Sequence, residues 1–495
     1  MVFRLTNSLH SPIISQKGMR AAEAAAFARG VSAEALMEEA GEGIARALIK
    51  FFKGTGRCVV FAGKGHNAGD AFVAARLLAA AGWAIETRLV YPEEDLAELT
   101  MRKLNELRAI PARTQIAGGP TIVLDGLLGL GAKPPLREPI RRACRKINAW
   151  RPRAAIVAID LPTGVNGDTG AADKNAVRAD FTITVGFAKS GLVADDALDF
   201  VGRLEVVPLA ELQVDKTEDA PEVAVPETLG ELLPRRHFSS YKNQFGRIGI
   251  VAGSRGFSGA AVLCSLGALR AGGGLVELFV PESIYEIVAA AAAPEVMVKP
   301  VKSYDELRDA PVDVWAIGPG LGQEHAAEIL ALIREAKQPM VVDADALNIL
   351  AGKMKTLSAA RGPRLLTPHP GEMKRLFPVT KRSRAAWARK VGRKYMATLL
   401  LKGSRTIVAE RDRALSYKST GTPGMATGGM GDVLTGVCGA LLGAKLSPND
   451  AARLGAWVCG RAAELAIRDG GASEESLLPS DLLDHLGAGF RELRL

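Results

Sequence analysis

The stretch from Arg57 to Ala80 reads RCVVFAGKGHNAGDAFVAARLLAA. Its first six residues, RCVVFA, are a short β-branched run of the kind that forms a buried strand. The next eight, Gly63-Lys64-Gly65-His66-Asn67-Ala68-Gly69-Asp70, are rich in glycine, and an alanine-rich helical pattern follows. Strand, glycine turn and helix N-terminus together bring free backbone amides and the positive end of a helix dipole to one point, which makes an anion site. Taken alone the signal is weak, because a tight packing turn produces the same pattern.

Working outward, the alternation continues through AIETRLVY, TIVLD, AAIVAID and DFTITVGF, with helical patterns between. Such alternation buries a parallel sheet between helices. Upstream, Ala21 to Ala28 and Ala33 to Ile49 read as two helices, with Ser32 placed to cap the second. Around Glu211 to Pro234 periodicity lapses into a Pro-rich, acidic stretch that reads as a linker. Beyond it GRIGIVAG, GLVELFV, DVWAIG, PMVVDA, RLLT and TLLLKG resume the strand pattern. A single core stops growing at roughly 250 to 300 residues, so a chain of 495 residues is expected to hold two domains. The fold class is α/β, with domains at 1–215 and 238–495 and a linker at 216–237.

Composition narrows the function classes. Apolar residues make up 48% and charged residues 24%, as in ordinary folded chains, which excludes disordered and fibrous readings. The five cysteines, Cys58, Cys144, Cys264, Cys438 and Cys459, are widely spaced without a CxxC pair, which points to a reducing, cytoplasmic setting. Neither a secretory leader nor a run of roughly 18 apolar residues is present, so no membrane role is expected. The net charge of +9 gathers in Arg137 to Arg153 and Lys381 to Lys394. In both, apolar residues fall between the charges at helical spacing (Ile140, Cys144, Ile147; Ala386, Val391, Tyr395), the pattern of a solvated helix face rather than of nucleic-acid binding.

Two further strand ends in the first domain carry carboxylates. Asp125 closes TIVLD before GLLGLGA, and Asp160 closes AAIVAID before LPTG. Ligands of open α/β sheets bind at carboxyl strand ends. Either Asp taken singly could merely cap the next helix, but three polar strand ends in one domain favour a site. With LMEEAG at Leu36 to Gly41 and ADFTITVGFAKSG at Ala179 to Gly191, the segments GKGHNAGD, DGLLGLG and DLPTG resemble the NAD(P)H-hydrate epimerase family over nearly the whole domain.

That resemblance implies a Rossmann-like three-layer domain that interconverts the R and S hydrates of NADH and NADPH with a bound potassium ion. By motif position, Asn67, Asp125 and Thr163 are the potassium ligands. His66, Asn67, Ala68, Gly69 and Asp70, with Gly129, Leu130, Gly131, Ala132, Lys133, Pro134 and Pro135, line the substrate, and Asp160 contacts the hydrate as the catalytic acid/base. Lys189 is a further candidate, with plain surface charge as the alternative. The chain departs from the family at His66, Ala68 and Ala71 in the glycine loop, at Leu130 where Thr is usual, and at Thr163 where Ser is usual. Thr163 keeps the hydroxyl, whereas the two alanines add methyl groups where the backbone approaches the ligand.

In the second domain, Gly424-Met425-Ala426-Thr427-Gly428-Gly429-Met430-Gly431-Asp432 opens an apolar helix. Glycines followed by Asp at a helix start expose amides to an anion and hold a carboxylate beside it, which suits phosphoryl transfer; an N-capping Asp is the alternative. GPGLG at Gly318 to Gly322, TPHPGE at Thr367 to Glu372 and KGSRT at Lys402 to Thr406 each follow a strand, and no Walker-type GxxxxGK[ST] occurs. From about Phe238 onward the set resembles the ADP- or ATP-dependent NAD(P)H-hydrate dehydratases, a branch of the ribokinase-like α/β fold.

The resemblance implies that Ala260, Gly320, His369 and Asp432 touch the hydrate, with Asp432 catalytic. Lys402, Gly403, Ser404, Arg405, Thr406 and Gly431 hold the nucleotide, which enters with Mg2+. Departures here are Thr422 for Asn and Met430 for Thr, and neither removes a charge. Fusions in this order resemble ADP users, so ADP is favoured over ATP, and a homo-oligomer is expected. The expected function is metabolite repair: epimerisation of the hydrates, then ADP-dependent dehydration of the S hydrate to NAD(P)H with release of AMP and phosphate. The alternative is a ribokinase-like small-molecule kinase carrying a non-catalytic dinucleotide-binding domain, against which TPHPGE argues.

Overall fold

A computed structural model describes residues 11–111, 113, 118–131, 134–214, 219–378 and 383–494. The chain divides into two compact units between Val223 and Ala224. The stretch that reads as a linker carries a short strand, Glu222–Ala224, and a short helix, Pro226–Gly230, opened by a proline in its first turn. Among the described residues no helix is long and apolar enough to cross a membrane.

The first unit is built on a six-stranded parallel sheet in the order Ala84–Leu89, Arg57–Ala62, Thr121–Gly126, Ala155–Ile159, Phe181–Val185, Arg203–Val207. Side chains alternate between its faces. Cys58, Val60 and Ala62 join a core that also holds residues of helices Ala33–Phe51 and His66–Ala80, while Val59 and Phe61 pack with helix Ile140–Asn148 on the other side. Helices on both faces make this the expected three-layer Rossmann-like unit. The Ser32 hydroxyl accepts from Ala35 N at 3.1 Å and caps Ala33–Phe51. Helix Ile140–Asn148 buries Ile140, Ala143, Cys144 and Ile147, and its Arg141 and Arg145 turn outward to Glu138, so this basic cluster is a solvated helix face.

Because Arg57–Ala62, the first strand of this sheet in chain order, has the sheet's second strand on one side and its third on the other, the connections diverge between Arg57–Ala62 and Thr121–Gly126. That switch point is where ligands of doubly wound sheets bind. Gly63 sits in it. A Cβ there would lie 2.0 Å from Leu127 O, so glycine is required for the two loops to approach.

The second unit has a ten-stranded sheet in the order Val296–Val301, Leu275–Pro281, Arg247–Val251, Val314–Ile317, Met340–Val342, Arg364–Leu366, Thr398–Leu401, Ile407–Ala409, Ser416–Lys418, Glu222–Ala224. The first seven are parallel, and Ile407–Ala409 and Ser416–Lys418 return antiparallel. One face packs Ile248, Ile250, Leu278, Ala316 and Val341 against helices Ser258–Arg270, Met430–Gly443 and Pro448–Gly470. Its switch point lies between Arg247–Val251 and Val314–Ile317. Helix Arg384–Lys394 buries Trp387, Ala388 and Val391 and carries the second basic cluster, whose residues 381 and 382 lie outside the described residues.

Candidate functional site

Helix His66–Ala80 begins at the first switch point, and no side chain caps it. Its N-terminal amides and dipole face the loop, as an anion requires. His66 is exposed in this first turn, whereas Ala68 and Ala71 are fully buried in the core beneath the sheet. Their methyl groups therefore point into the core, not into the anion site, and neither residue has positive φ. Leu130 is partly covered by the same core, and its carbonyl accepts from Arg20 Nη2 at 2.9 Å. Gly131 and Pro135 are exposed and Pro134 half-buried. Ala132 and Lys133 lie outside the described residues.

Asp125 and Thr163 come together. Asp125 is fully buried at its strand end and accepts from Thr163 Oγ1 at 2.8 Å, Thr163 N at 2.8 Å and Leu127 N at 3.2 Å. Burial pushes its carboxyl up to about 6, with those three bonds opposing. Asn67 is buried in the first turn of its helix with Nδ2 lacking a hydrogen-bond partner. A Cβ on Gly129 would stand 3.3 Å from both Asn67 Oδ1 and Asp160 Oδ2, so the glycine keeps open the space between amide and carboxylate.

Asp160 occupies a left-handed conformation, φ 64°, at the end of Ala155–Ile159. Such a backbone costs about 1–3 kcal/mol and is maintained only where the surroundings enforce it. Here they do. Lys189, fully buried, donates to Asp160 and also to Thr184 Oγ1 at 3.1 Å and Val185 O at 2.8 Å. Lys189 is therefore buried beside Asp160 and is not surface charge. Asp70 lies close by. Burial, with the Asp160 and Glu23 carboxylates near it, pushes its carboxyl well above the usual range, and Lys189 only partly offsets this.

In the second unit, Gly429 (φ 93°) starts helix Met430–Gly443, which no side chain caps, and Asp432 stands in its first turn. Burial pushes the Asp432 carboxyl up to about 7, helped by Asp343 and Asp345 and opposed by Lys402. Lys402 Nζ lies 2.7 Å from Asp343 Oδ1 and 3.9 Å from Glu372 Oε2, and a Cβ on Gly431 would be 3.2 Å from it. Lys402 and Gly431, both expected at the nucleotide, are thus neighbours. Gly403 has φ 155°, its carbonyl accepts from Thr406 Oγ1 at 3.1 Å, and the Arg405 carbonyl accepts from Arg384 Nη2 at 3.2 Å; Ser404 is exposed.

Gly320 (φ 58°) and Ala260 are also adjacent, since a Cβ on Gly320 would meet Ala260 Cβ at 2.9 Å. His369 caps helix Pro370–Leu376 through Nδ1, which accepts from Gly371 N at 3.0 Å, while its backbone N donates to Glu372 Oε2 at 2.8 Å. Nε2 is then the protonated nitrogen, 3.4 Å from Glu372 Oε1 on a half-exposed ring. The structure links His369 to Lys402 through Glu372. Asp343 and Thr435 also join this cluster, through Lys402 Nζ at 2.7 Å and a Thr435 Oγ1–Asp343 Oδ2 bond of 2.8 Å; neither stands in the quoted motifs, although Asp343 carries the same signal as Asp125 and Asp160, a carboxylate closing a strand.

One unit is thus Rossmann-like with carboxylates at its switch point; the other is ribokinase-like with an aspartate at an open helix N-terminus. Together they define a two-domain nucleotide-handling enzyme. Residues 33–191 match the family described as YjeF-related protein N-terminus, and residues 248–486 match that described as NAD(P)H-hydrate dehydratase. The chain belongs to the family of bifunctional NAD(P)H-hydrate repair enzymes. The repair enzyme of Gloeobacter violaceus is 37% identical over 478 residues, covering 90% of this chain and 93% of that one. The repair enzyme of Moorella thermoacetica is 35% identical over 494 residues, covering 92% of each. A ribokinase-like superfamily protein of Enterococcus faecalis matches 57% of this chain and 99% of its own at a TM-score of 0.50 and 23% identity, a likeness of fold.

Proposed function

We propose that the first unit interconverts the R and S hydrates of NADH and NADPH and that the second dehydrates the S hydrate at the expense of ADP. The observation that carries the second half is Asp432. It is a carboxyl held near neutrality at an uncapped helix N-terminus, with Lys402 close enough to lower its pKa. A general base works best when its pKa lies near the operating pH.

In the dehydratase, Asp432 accepts the proton of the hydrate hydroxyl, whose oxygen attacks the terminal phosphoryl group of ADP. The phosphoanhydride bond breaks and AMP leaves. The ring nitrogen's lone pair then expels phosphate from the hydroxyl-bearing carbon, and loss of a proton from the neighbouring carbon restores the dihydronicotinamide. The products are NAD(P)H, AMP and phosphate. Magnesium would enter with the nucleotide and offset the negative charge of its phosphates. Lys402, Gly403, Ser404, Arg405, Thr406 and Gly431 hold the nucleotide, and the amides of the Met430–Gly443 N-terminus meet the charge that develops on the transferred group. Ala260, Gly320 and His369 line the hydrate, with His369 Nε2–H the polar contact.

In the epimerase, the ring nitrogen expels the hydroxyl, giving a planar cation that water re-enters from either face. Asp160, held by Lys189, gives and takes the proton. His66 to Asp70 and Gly129 to Pro135 border the dinucleotide. Potassium fits Asn67, Asp125 and Thr163: the set offers amide, carboxylate and hydroxyl oxygens, the donors hard cations prefer. Three neutral donors hold the buried Asp125 carboxylate, and Asn67 Oδ1 faces the space that Gly129 leaves open. When bound, the ion would fix the switch-point loop and add positive charge beside the phosphates.

The five cysteines are all free and buried, which supports a cytoplasmic setting; a homo-oligomeric assembly is part of the proposal. The test is product stoichiometry. S-hydrate and magnesium-ADP should yield NADH, AMP and phosphate in equal amounts, whereas a stable phosphorylated product without NADH would establish a kinase instead.

A further inference from the structure

We infer that Asp343 is a positioning residue of the dehydratase, anchoring Lys402 and the first turn of the Met430–Gly443 helix in the geometry that phosphoryl transfer needs. The inference rests on the dehydratase reading above and concerns a residue to which neither the motifs nor that reading assign a part.

Asp343 closes strand Met340–Val342 and is 1% exposed. The ordinary explanation for an aspartate at this position is a cap on the following helix, yet its side chain makes no capping bond to Ala344–Leu350. Both oxygens turn the other way. Oδ1 accepts from Lys402 Nζ at 2.7 Å and Oδ2 from Thr435 Oγ1 at 2.8 Å. Thr435 lies one turn after Gly431, whose carbonyl is 3.1 Å from the same hydroxyl. A single carboxylate therefore ties the end of strand Thr398–Leu401 to the helix bearing Asp432.

The backbone that aims it is held from both sides. Asp343 N donates to Ile317 O at 3.0 Å. Gly318 has φ 120°, and a Cβ there would lie 1.9 Å from Asp343 O, so only glycine permits the approach. Ala344 adopts φ 46°, uncommon for a residue with a side chain, and this turns the helix away while Asp343 points inward. Strain of this kind persists where the surroundings over-determine it.

Asp343 also has an electrostatic effect on Asp432. The groups that face Asp432 are Asp343, Asp345, Lys402 and the buried Cys264 thiol, and Glu372 Oε2 lies 3.9 Å from Lys402 Nζ. Asp345 accepts from Gly322 N at 2.9 Å and Asn348 Nδ2 at 3.2 Å. Replacing Asp343 by a neutral isostere removes one negative charge and frees Lys402 to turn towards Asp432. Both changes favour the ionised form of Asp432.

The test is the full-length Asp343→Asn variant, assayed for NADH formation from S-hydrate and magnesium-ADP across pH. The expected result has three parts: kcat falls about tenfold or more, the KM for the nucleotide rises, and the acid limb of the kcat profile moves down by roughly one pH unit. A merely structural role would not move the limb, so a limb in its wild-type place overturns the inference. Wild-type protein that forms no NADH overturns the dehydratase reading and this inference together. If Asp343→Asn does not fold, Thr435→Val keeps the charge and removes one anchor. It should lose about threefold or more in kcat with the limb in place, and wild-type kcat in that variant overturns the inference.

Discussion

The ammonium group of Lys189, in the short strand Ala188–Lys189 outside the six-stranded sheet, is fully buried and donates to the carboxylate of Asp160, at the end of strand Ala155–Ile159 of that sheet. A pair of this kind is weak evidence for stability as a pair, but removing one partner leaves a buried charge uncompensated. Lys189→Met should therefore destabilise the first unit by about 3–5 kcal/mol. Urea unfolding followed by tryptophan fluorescence measures the change; a loss well under 1 kcal/mol would mean that Asp160 is solvated without Lys189.

Asp160→Asn should abolish R-to-S interconversion and spare the dehydratase. General acid–base groups typically contribute about 100-fold to 10,000-fold, so an epimerisation rate within tenfold of wild type would exclude Asp160 from that role. Chromatographic separation of the two epimers, started from pure R hydrate, gives the rate directly, and NADH formation from pure S hydrate supplies the control.

Gly129→Ala probes the space rather than the charge. The new methyl group would stand 3.3 Å from Asn67 Oδ1 and from Asp160 Oδ2, closer than comfortable contact with either. We expect epimerase activity to fall at least about tenfold. Thermal stability should change by no more than about 1–2 kcal/mol. Unchanged epimerisation would show that nothing needs to occupy the gap.

Much of this was legible from residue order. Arg57–Ala62 and Thr121–Gly126 are β-branched or apolar runs, and the glycine turn that follows the first predicted the switch-point site. The two edge strands of the second sheet were not legible. Val296–Val301 contains a lysine and a proline, and Glu222–Ala224 is three residues long in an acidic, proline-rich stretch, so neither shows the apolar run of a central strand. Buried charge was the other blind spot. Lys189 and Asp343 owe their places to partners far along the chain, Asp160 in one case and Lys402 with Thr435 in the other, and no local pattern announces such a partner. For Ala68 and Ala71 the opposite held: the sequence shows two extra methyl groups in a ligand loop, and the helix turns both into the core.

Dehydratase activity should rise with pH through about 7, where the Asp432 carboxyl loses its proton. The direction follows from its role: burial and the Asp343 carboxylate hold the proton on, and only the ionised form accepts one from the hydrate. A kcat profile for S-hydrate that is flat from about pH 5 to 8 would remove Asp432 as the base.

The central claim is that one chain clears both hydrates, and it is tested most directly by recovery of dihydronicotinamide absorbance from a mixture of R and S NADH hydrate. The assay contains purified protein, potassium, magnesium and either ADP or ATP. The account predicts recovery of the whole mixture, faster than spontaneous epimerisation allows, with ADP the better cosubstrate. Recovery that stops at the S fraction would contradict it for the first unit, and no recovery with either nucleotide would contradict it for both.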